Sequence, residues 1–341
     1  MTPRVALAGG WGYENLGDEA ILAGYVETLA PHVELTVTSR GPGRTSAAMR
    51  TRVDVRPERA VRSSDLLLLG GGGYLNGGWM PEIVGKLARL RRMARGQAVV
   101  AHAVEVRHMD AALRGGPFRS VFHGAVASVR DEDSRREMAA LGLGAADVVP
   151  DAISLLVPHL AKYRHPVPAV AGAYLVNLLD VRHRADAAQA EVDPSRWDGF
   201  VVELLAALGD KAIGLVGGEG DLAYLTRIAP GLPLVEPLTV ADLVSLLGSA
   251  RGVLSVRMHP ALLASALGTP VVSIPYTGKV RPTLTRIGVD PIIQSSLDVE
   301  ETLSRLRSAS DSSEQWRTSA EASEAWLHAA IGSAMDTAVG A

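Results

Sequence analysis

Between Gly252 and Ile274 the chain reads as a buried strand, a short helix of small residues and a second buried strand, with almost nothing separating them. The run Gly252-Val253-Leu254-Ser255-Val256 has the length and composition of a strand covered on both faces, as strands of parallel sheets are. Pro260 suits the first turn of a helix, where its missing N–H has no partner to lose. Ala261 to Leu267 continues that helix, Gly268 and Pro270 end it, and Val271 to Ile274 forms the next strand. A strand–helix–strand this tight belongs in an open α/β sheet, and such sheets bind ligands at the carboxyl ends of their strands. Arg257, His259, Tyr276 and Lys279 all fall at that edge. Arginine brings a bidentate fork, lysine a point charge and the helix start oriented N–H groups, so the edge suits an anion. His259 is the member that can give or take a proton near pH 7. The plainer reading leaves Arg257 and Lys279 in water and gives His259 a structural role.

The same alternation runs through the rest of the chain in two series. Arg4 to Ala8 is a strand, followed by a glycine-rich turn from Gly9 to Gly17 and a helix from Asp18 to Leu29 with acids in its first turn. Val33 to Thr38 is the second strand, and the basic stretch Arg40 to Arg62 is expected to be an irregular, solvated face. Asp65 to Leu69 is a buried strand that runs into Gly70-Gly71-Gly72-Gly73, a loop where a ligand or another backbone can approach closely. A basic amphipathic helix is expected over Pro81 to Arg95 and a strand over Gln97 to Ala103. Gly124 to Val129 is another strand, ending in Arg130 and followed by a helix to Leu141. Pro158 to Pro168 has the composition of an interdomain linker. A second series then begins with a strand over Ala171 to Asn177. It includes a helix opened by Thr239 at capping-box spacing from Asp242, and it ends with helices over Asp298 to Arg307 and Ser313 to Val339.

For 341 residues this implies two domains, 1–160 and 161–310, with a C-terminal helical segment, 311–341, folding back to the first. The expected fold class is α/β, with two doubly wound Rossmann-like domains facing a cleft. A net charge of −3 argues against nucleic acid as the main partner. The absence of cysteine excludes disulfides, thiolate zinc sites and cysteine nucleophiles. The histidines show no metal-ligand spacing, so no metal is expected. The apolar run near Met1 is too short for a signal peptide or membrane span, which makes a cytoplasmic location the expectation. Gly10, Gly12 and Gly17 fit neither G-x-G-x-x-G nor a P-loop.

Several phrases resemble one family. RMHPALLASALGTPVVSIPYTGK, from Arg257 to Lys279, is similar to the C-terminal motif of the polysaccharide pyruvyl transferases: R-x-H, a small-residue helix, G-x-P and Y-x-x-K. Asn15-Leu16-Gly17-Asp18-Glu19-Ala20 resembles their opening N-x-G-D-E-A motif. An apolar strand followed by glycines, Arg130-Asp131 with Ser134, and Val148 with Asp151 match in the same order. Two places depart. Ala101 to Val106 stands where the family has a Gly-Gln-(x)-x-Gly-Pro loop facing the cleft, and Ala152-Ile153 stands where it has Pro-Ala-Phe.

The resemblance implies a GT-B-like enzyme that moves pyruvate from phosphoenolpyruvate onto two hydroxyls of a sugar, as a ketal, with release of phosphate. It places Arg130, Arg257, Lys279 and Tyr276 on the donor and His259 as general acid, with Asp18, Glu19 or Asp151 as base. Gly10, Asn15, Gly71, Gly72, Gly73, Ser134 and Asp151 would line the cleft loops. In the plainer reading, Asn15 closes a turn and Asp18, Asp131 or Ser134 caps a helix. No cofactor is expected beyond phosphoenolpyruvate as co-substrate. The expected partners are that donor and a sugar, glycan or other polyhydroxy acceptor, lipid-linked acceptors included. A homodimer and peripheral attachment to the inner face of a membrane are compatible with this. The alternatives are a GT-B sugar-nucleotide enzyme (glycosyltransferase or epimerase), a relative with a changed natural-product acceptor, and a non-catalytic anion-binding protein.

Overall fold

The structure is a computed structural model. It describes residues 2–13, 15–49, 54–56, 64–76, 92, 96–109, 115–144, 146–180, 194–218, 220–275, 280–292, 297–308 and 312–339. The chain divides into two compact units. One gathers Met1–Tyr13, Asp18–Pro158 and Thr318–Ala341, and the other gathers Glu14–Gly17 and His159–Arg317.

The first unit is built on strands β1 (Arg4–Ala8), β2 (Glu34–Thr38), β3 (Asp54–Arg56), β4 (Leu66–Leu69), β5 (Gly72–Asn76), β6 (Ala98–Arg107), β7 (Val126–Val129) and β8 (Asp147–Val148). They pair in parallel in the order β3-β2-β1-β4-β6-β7-β8, with β5 also on β6. Leu66 to Leu69 sits between β1 and β6 and is fully buried, which is why that strand reads as an unbroken leucine run. Helix α1 (Leu16–Leu29) buries Ala20 to Ala23, Tyr25 and Leu29, so its lack of a polar stripe reflects burial on several sides.

Three expectations are corrected here. The basic stretch after Arg40 contains helix α2 (Pro42–Met49), whose Thr45, Ala48 and Met49 are buried. The small residues let it pack although arginines flank them. The glycines at 72 and 73 belong to β5 and are not a free loop. The third concerns β6, which continues to Arg107 through the segment expected to leave the sheet. Ala103 accommodates this with φ 51°, and the β6–β7 register shifts between Ala101 and Val104. The helix expected over Pro81 to Arg95 lies outside the described residues apart from Arg92. Helices α3 (Gly115–Phe122) and α4 (Glu132–Ala140) follow, the latter capped by Asp131, whose side chain accepts the Ser134 N–H at 2.8 Å.

The expected linker is also ordered. Pro158 lies inside a 3₁₀ helix, Ala152–Lys162, and Leu160 and Tyr163 are buried. Helix α7 (Val240–Ser249, numbered in chain order after α5, Pro194–Leu208, and α6, Asp221–Ile228) takes up the residues that follow. Arg164 donates to Gly248 O at 2.7 Å, and the Ser245 and Ser249 hydroxyls each accept a backbone N–H from this stretch at 3.0 Å. Side chains thus pin what composition alone marks as loose.

The second unit contains β9 (Tyr174–Asn177), β10 (Ala212–Leu215), β11 (Leu234–Val235), β12 (Gly252–Ser255) and β13 (Val271–Ser273), all parallel, in the order β11-β10-β9-β12-β13. The order turns back between β9 and β12, the switch point where doubly wound sheets take ligands. Trp197, Val201 and Leu204 of α5 pack into the same cluster as Val176, Leu254 and Val272. The capping box of α7 is present, with Thr239 Oγ1 accepting the Asp242 N–H at 3.1 Å and Asp242 Oδ2 accepting the Thr239 N–H at 3.0 Å. Helices α8 (Met258–Ala266), α9 (Arg281–Arg286) and α10 (Val299–Leu306) precede α11 (Ser313–Val339). Among the described residues no helix is long and apolar enough to cross a membrane.

Helix α11 closes the core of the first unit over His102. That ring is fully buried, with Nδ1 2.7 Å from the Tyr25 hydroxyl, Nε2 3.1 Å from Ser323 Oγ, and Trp326 stacked on it at 5.5 Å. Burial lowers its pKa from 6.5 to about 3. The unfolded chain protonates at the ordinary value while the folded chain stays neutral, so stability falls as pH drops from about 6.5 towards about 3. Over that window His102 should add a slope approaching ~1.4 kcal/mol per pH unit. Urea unfolding at pH 5 and pH 7 should therefore show a larger acid loss in the wild type than in His102→Asn. Equal losses would rule out a histidine buried neutral.

Candidate functional site

At the switch point of the second unit, Asn177 ends β9 and lies opposite Ser255, which ends β12. Ser255 Oγ lies 3.1 Å from Asn177 Oδ1, accepts the Arg257 N–H at 3.1 Å and lies 2.8 Å from Arg257 O. This turns the chain sharply out of the strand, and Arg257 becomes the N-cap of α8. The Arg257 guanidinium meets Asp221 side-on, Nε to Oδ2 at 2.9 Å and Nη2 to Oδ1 at 2.7 Å. Asp221 also accepts the Gly217 N–H at 2.9 Å and Asn177 Nδ2 at 3.0 Å. The carboxylate is wholly buried, while the Arg257 side chain keeps 18% of its surface exposed. His259 follows in the first turn of α8, 8% exposed. Residues 14–17 group with this unit, and a Cβ on Gly17 would fall 2.5 Å from His259 Nδ1. Gly17 is therefore needed there for the space it leaves. Asn15 Oδ1 accepts the Gly17 N–H at 3.1 Å, the turn-closing role of the plainer reading.

The first unit has its own cluster at strand carboxyl ends. Arg130, the expected clamp, follows β7 and is 5% exposed. Its Nη1 donates to Asp151 Oδ2 at 2.9 Å and its Nη2 pairs with Glu105 Oε2. Arg107 adds a 2.8 Å pair to Asp131 and a 2.6 Å bond to Ser134 Oγ. Burial works against the charge on Arg130, but Glu105, Asp151 and Asp131 outweigh it and raise its pKa. Burial likewise pushes Asp131 up, yet Arg107 and Arg130 hold it below the usual carboxylate range. Arg130 is thus engaged with the chain's own carboxylates, not presented as a free cation. Ser134, which also accepts the Val106 N–H at 3.0 Å, ties α4 to β6.

The two acids opening α1 have different surroundings. Glu19 is buried, accepts the Gly12 N–H at 2.8 Å, and is raised by burial. Asp18 is half-buried where β1 and β4 end: a Cβ on Gly10 would lie 3.3 Å from its Oδ2, and one on Gly72 would lie 3.5 Å from its Oδ1. Gly72 has φ +121°, which only glycine adopts readily. Gly71 and Gly73 are required by space, since a Cβ would meet Ala152 Cβ at 2.6 Å or Glu105 Oε2 at 2.7 Å. Tyr276 and Lys279 lie outside the described residues.

Asp221, Asn177, Ser255 and Glu105 were not singled out from the sequence. A faint signal for Asp221 exists in Gly217-Gly218-Glu219-Gly220-Asp221, a glycine loop before a helix. Chemically, the second unit offers an oriented guanidinium and, two residues further on at the helix start, an imidazole: groups that can grip an anion and move a proton.

The family model described as "Polysaccharide pyruvyl transferase" matches residues 15–278. A comparison with curated protein sequences found no match. Solved structures share the fold at low identity. The UDP-GlcNAc 2-epimerase of Neisseria meningitidis bound to UDP-GlcNAc is 11% identical with a TM-score of 0.60, over 96% of this chain and 99% of that one. The UDP-GlcNAc 2-epimerase of Methanocaldococcus jannaschii is 12% identical, TM-score 0.58, over 96% and 98%. An Anabaena protein in complex with UDP-glucose is 12% identical, TM-score 0.57, over 97% and 99%. The likeness is one of fold: α/β, GT-B-type, with two parallel sheets.

Proposed function

Because the chain belongs to the polysaccharide pyruvyl transferase family, we propose that it moves pyruvate from phosphoenolpyruvate onto two hydroxyls of a sugar or other polyhydroxy acceptor. The product is a cyclic ketal, and phosphate is released. The observation that carries this reading is the presence of both a fixed guanidinium, Arg257, and, two residues on, an imidazole, His259, where the chain leaves the carboxyl end of β12.

In this scheme Arg257 grips an anionic group of the donor, with Lys279 and Tyr276 assigned to the same task. His259 gives its proton to the methylene carbon, and the adjoining carbon takes on oxocarbenium character. One acceptor hydroxyl adds to that carbon, and a second then displaces phosphate from it, closing the ketal. Of the two hydroxyl protons, one restores His259 and the other leaves with phosphate. Asp18, Glu19 and Asp151 are the acids proposed as base for the second of these protons, which is passed on to the departing phosphate.

The test is phosphate release from phosphoenolpyruvate, measured with and without a panel of sugar and glycan acceptors. Acceptor-dependent release, with a product heavier by the pyruvylidene group, is the expected result. Turnover of a UDP-sugar with no use of phosphoenolpyruvate would replace this reading with a sugar-nucleotide activity. Tight binding of phosphoenolpyruvate without turnover on any acceptor would point to an anion-binding role.

A further inference from the structure

We propose that Asp221 is the positioning residue that sets the plane of the Arg257 guanidinium, and through it the grip on the donor. The inference rests on the assignment of Arg257 to the donor made above. Arginine side chains at a surface sample many orientations, and a bidentate grip on a phosphate or carboxylate requires one of them. Asp221 supplies that selection from behind. Its carboxylate has no exposed surface, whereas the Arg257 side chain it holds keeps 18% of its surface exposed. Side-on pairing through Nε and Nη2 fixes the plane of the fork, which a single contact would leave free to swing.

Asp221 is itself held from several directions. Gly217 N–H and Asn177 Nδ2 donate to Oδ2, and Asn177 also donates to Leu215 O at 3.0 Å and faces Ser255 through its Oδ1. The network joins the carboxyl ends of β9, β10 and β12 to the start of α6, so the guanidinium inherits the rigidity of the sheet. On its other side lies backbone. A Cβ placed on Gly218 would come within 3.0 Å of Arg257 Nη2, 3.1 Å of Cζ and 3.3 Å of Nη1. Carboxylate and glycine together form a slot for the guanidinium. Capping of α6 does not account for this arrangement, because the N-cap of α6 is Gly220 and Asp221 lies one residue inside the helix.

The experiment measures phosphoenolpyruvate affinity by calorimetry for wild type, Asp221→Asn, Gly218→Ala, Arg257→Ala and the Asp221→Asn/Arg257→Ala double variant. Melting temperature and hydrogen exchange of the arginine Nε–H, followed by NMR, are read on the same samples. Arg257→Ala should weaken binding by roughly 10- to 100-fold, the span of a lost charged hydrogen bond. Asp221→Asn should cost on the order of 10-fold and make the Arg257 Nε–H exchange faster. The double variant should bind no worse than Arg257→Ala, because both changes act through one guanidinium. Gly218→Ala leaves every bond of Asp221 in place and crowds only the fork, so affinity should fall several-fold at an unchanged melting temperature.

Penalties that add fully in the double variant overturn the proposal. So does an Arg257 Nε–H that exchanges at the wild-type rate in Asp221→Asn. If Asp221→Asn does not fold, Gly218→Ala decides, and wild-type affinity with a wild-type Nε–H signal overturns the role. If the wild-type protein does not bind phosphoenolpyruvate, the donor assignment fails separately, and the Nε–H exchange still judges whether Asp221 orients Arg257.

Discussion

His259→Gln is expected to slow turnover by about 10²–10⁴-fold, the range typical of a lost general acid, while phosphoenolpyruvate affinity changes far less. Glutamine keeps much of the hydrogen-bonding capacity of imidazole but holds no transferable proton near neutral pH. The side chain sits in the first turn of α8 with 8% of its surface exposed, so the change replaces one buried polar group with another of similar reach. A merely structural His259 gives the opposite pattern: a lower melting temperature and nearly intact turnover per folded molecule. A residue that only grips phosphate loses affinity and rate together. Single-turnover rate, calorimetric affinity and melting temperature on one preparation separate the three. A near wild-type rate per folded molecule would end the general-acid role.

The second large effect is on stability. Arg130→Ala removes one of two guanidiniums from a buried cluster that also holds Glu105, Asp131 and Asp151. Breaking a buried pair from one side typically costs ~3–5 kcal/mol, because the partners stay buried and unpaired. The melting temperature of the first unit should fall by roughly 6–20 °C, at ~2–4 °C per kcal/mol for a domain of this size. Arg130→Met combined with Glu105→Leu should recover part of the loss by replacing the pair with packed apolar groups. Donor affinity per folded molecule should remain close to wild type. A variant that melts within roughly 2 °C of wild type, the effect of a ~0.5 kcal/mol surface change, yet binds the donor about one to two decades more weakly would support Arg130 as an anion clamp.

These expectations show which parts of the molecule are readable along the chain. The strand–helix–strand around Arg257 was legible because its signals are local: an apolar run, a proline in the first turn and a glycine at the stop. The capping box at Thr239 was legible for the same reason. The carboxylates around Arg130 were not legible because they arrive from neighbouring strands and loops, and spacing along the chain does not report which strands lie side by side. Asp221 escaped notice likewise, since its importance depends on β10 and β12 flanking β9. Asp18 and Glu19 look interchangeable as neighbouring acids, but successive helical residues point about 100° apart. One therefore turns under Gly12 and the other towards Gly10 and Gly72.

The division of the chain between its two units also has a consequence for synthesis. The second unit is almost one continuous stretch, His159–Arg317, whereas the first needs Thr318–Ala341 as well as the residues before Pro158. On the ribosome, the half that emerges first is therefore the half that finishes last. Between residues 158 and 318 lie roughly ten to thirty seconds of elongation at ~5–20 residues per second. Throughout that interval His102 and the apolar surface around it wait for Ser323 and Trp326. Nascent chains stalled just before and just after residues 318–339 have been exported should differ sharply in protease resistance of the first unit and little in that of the second.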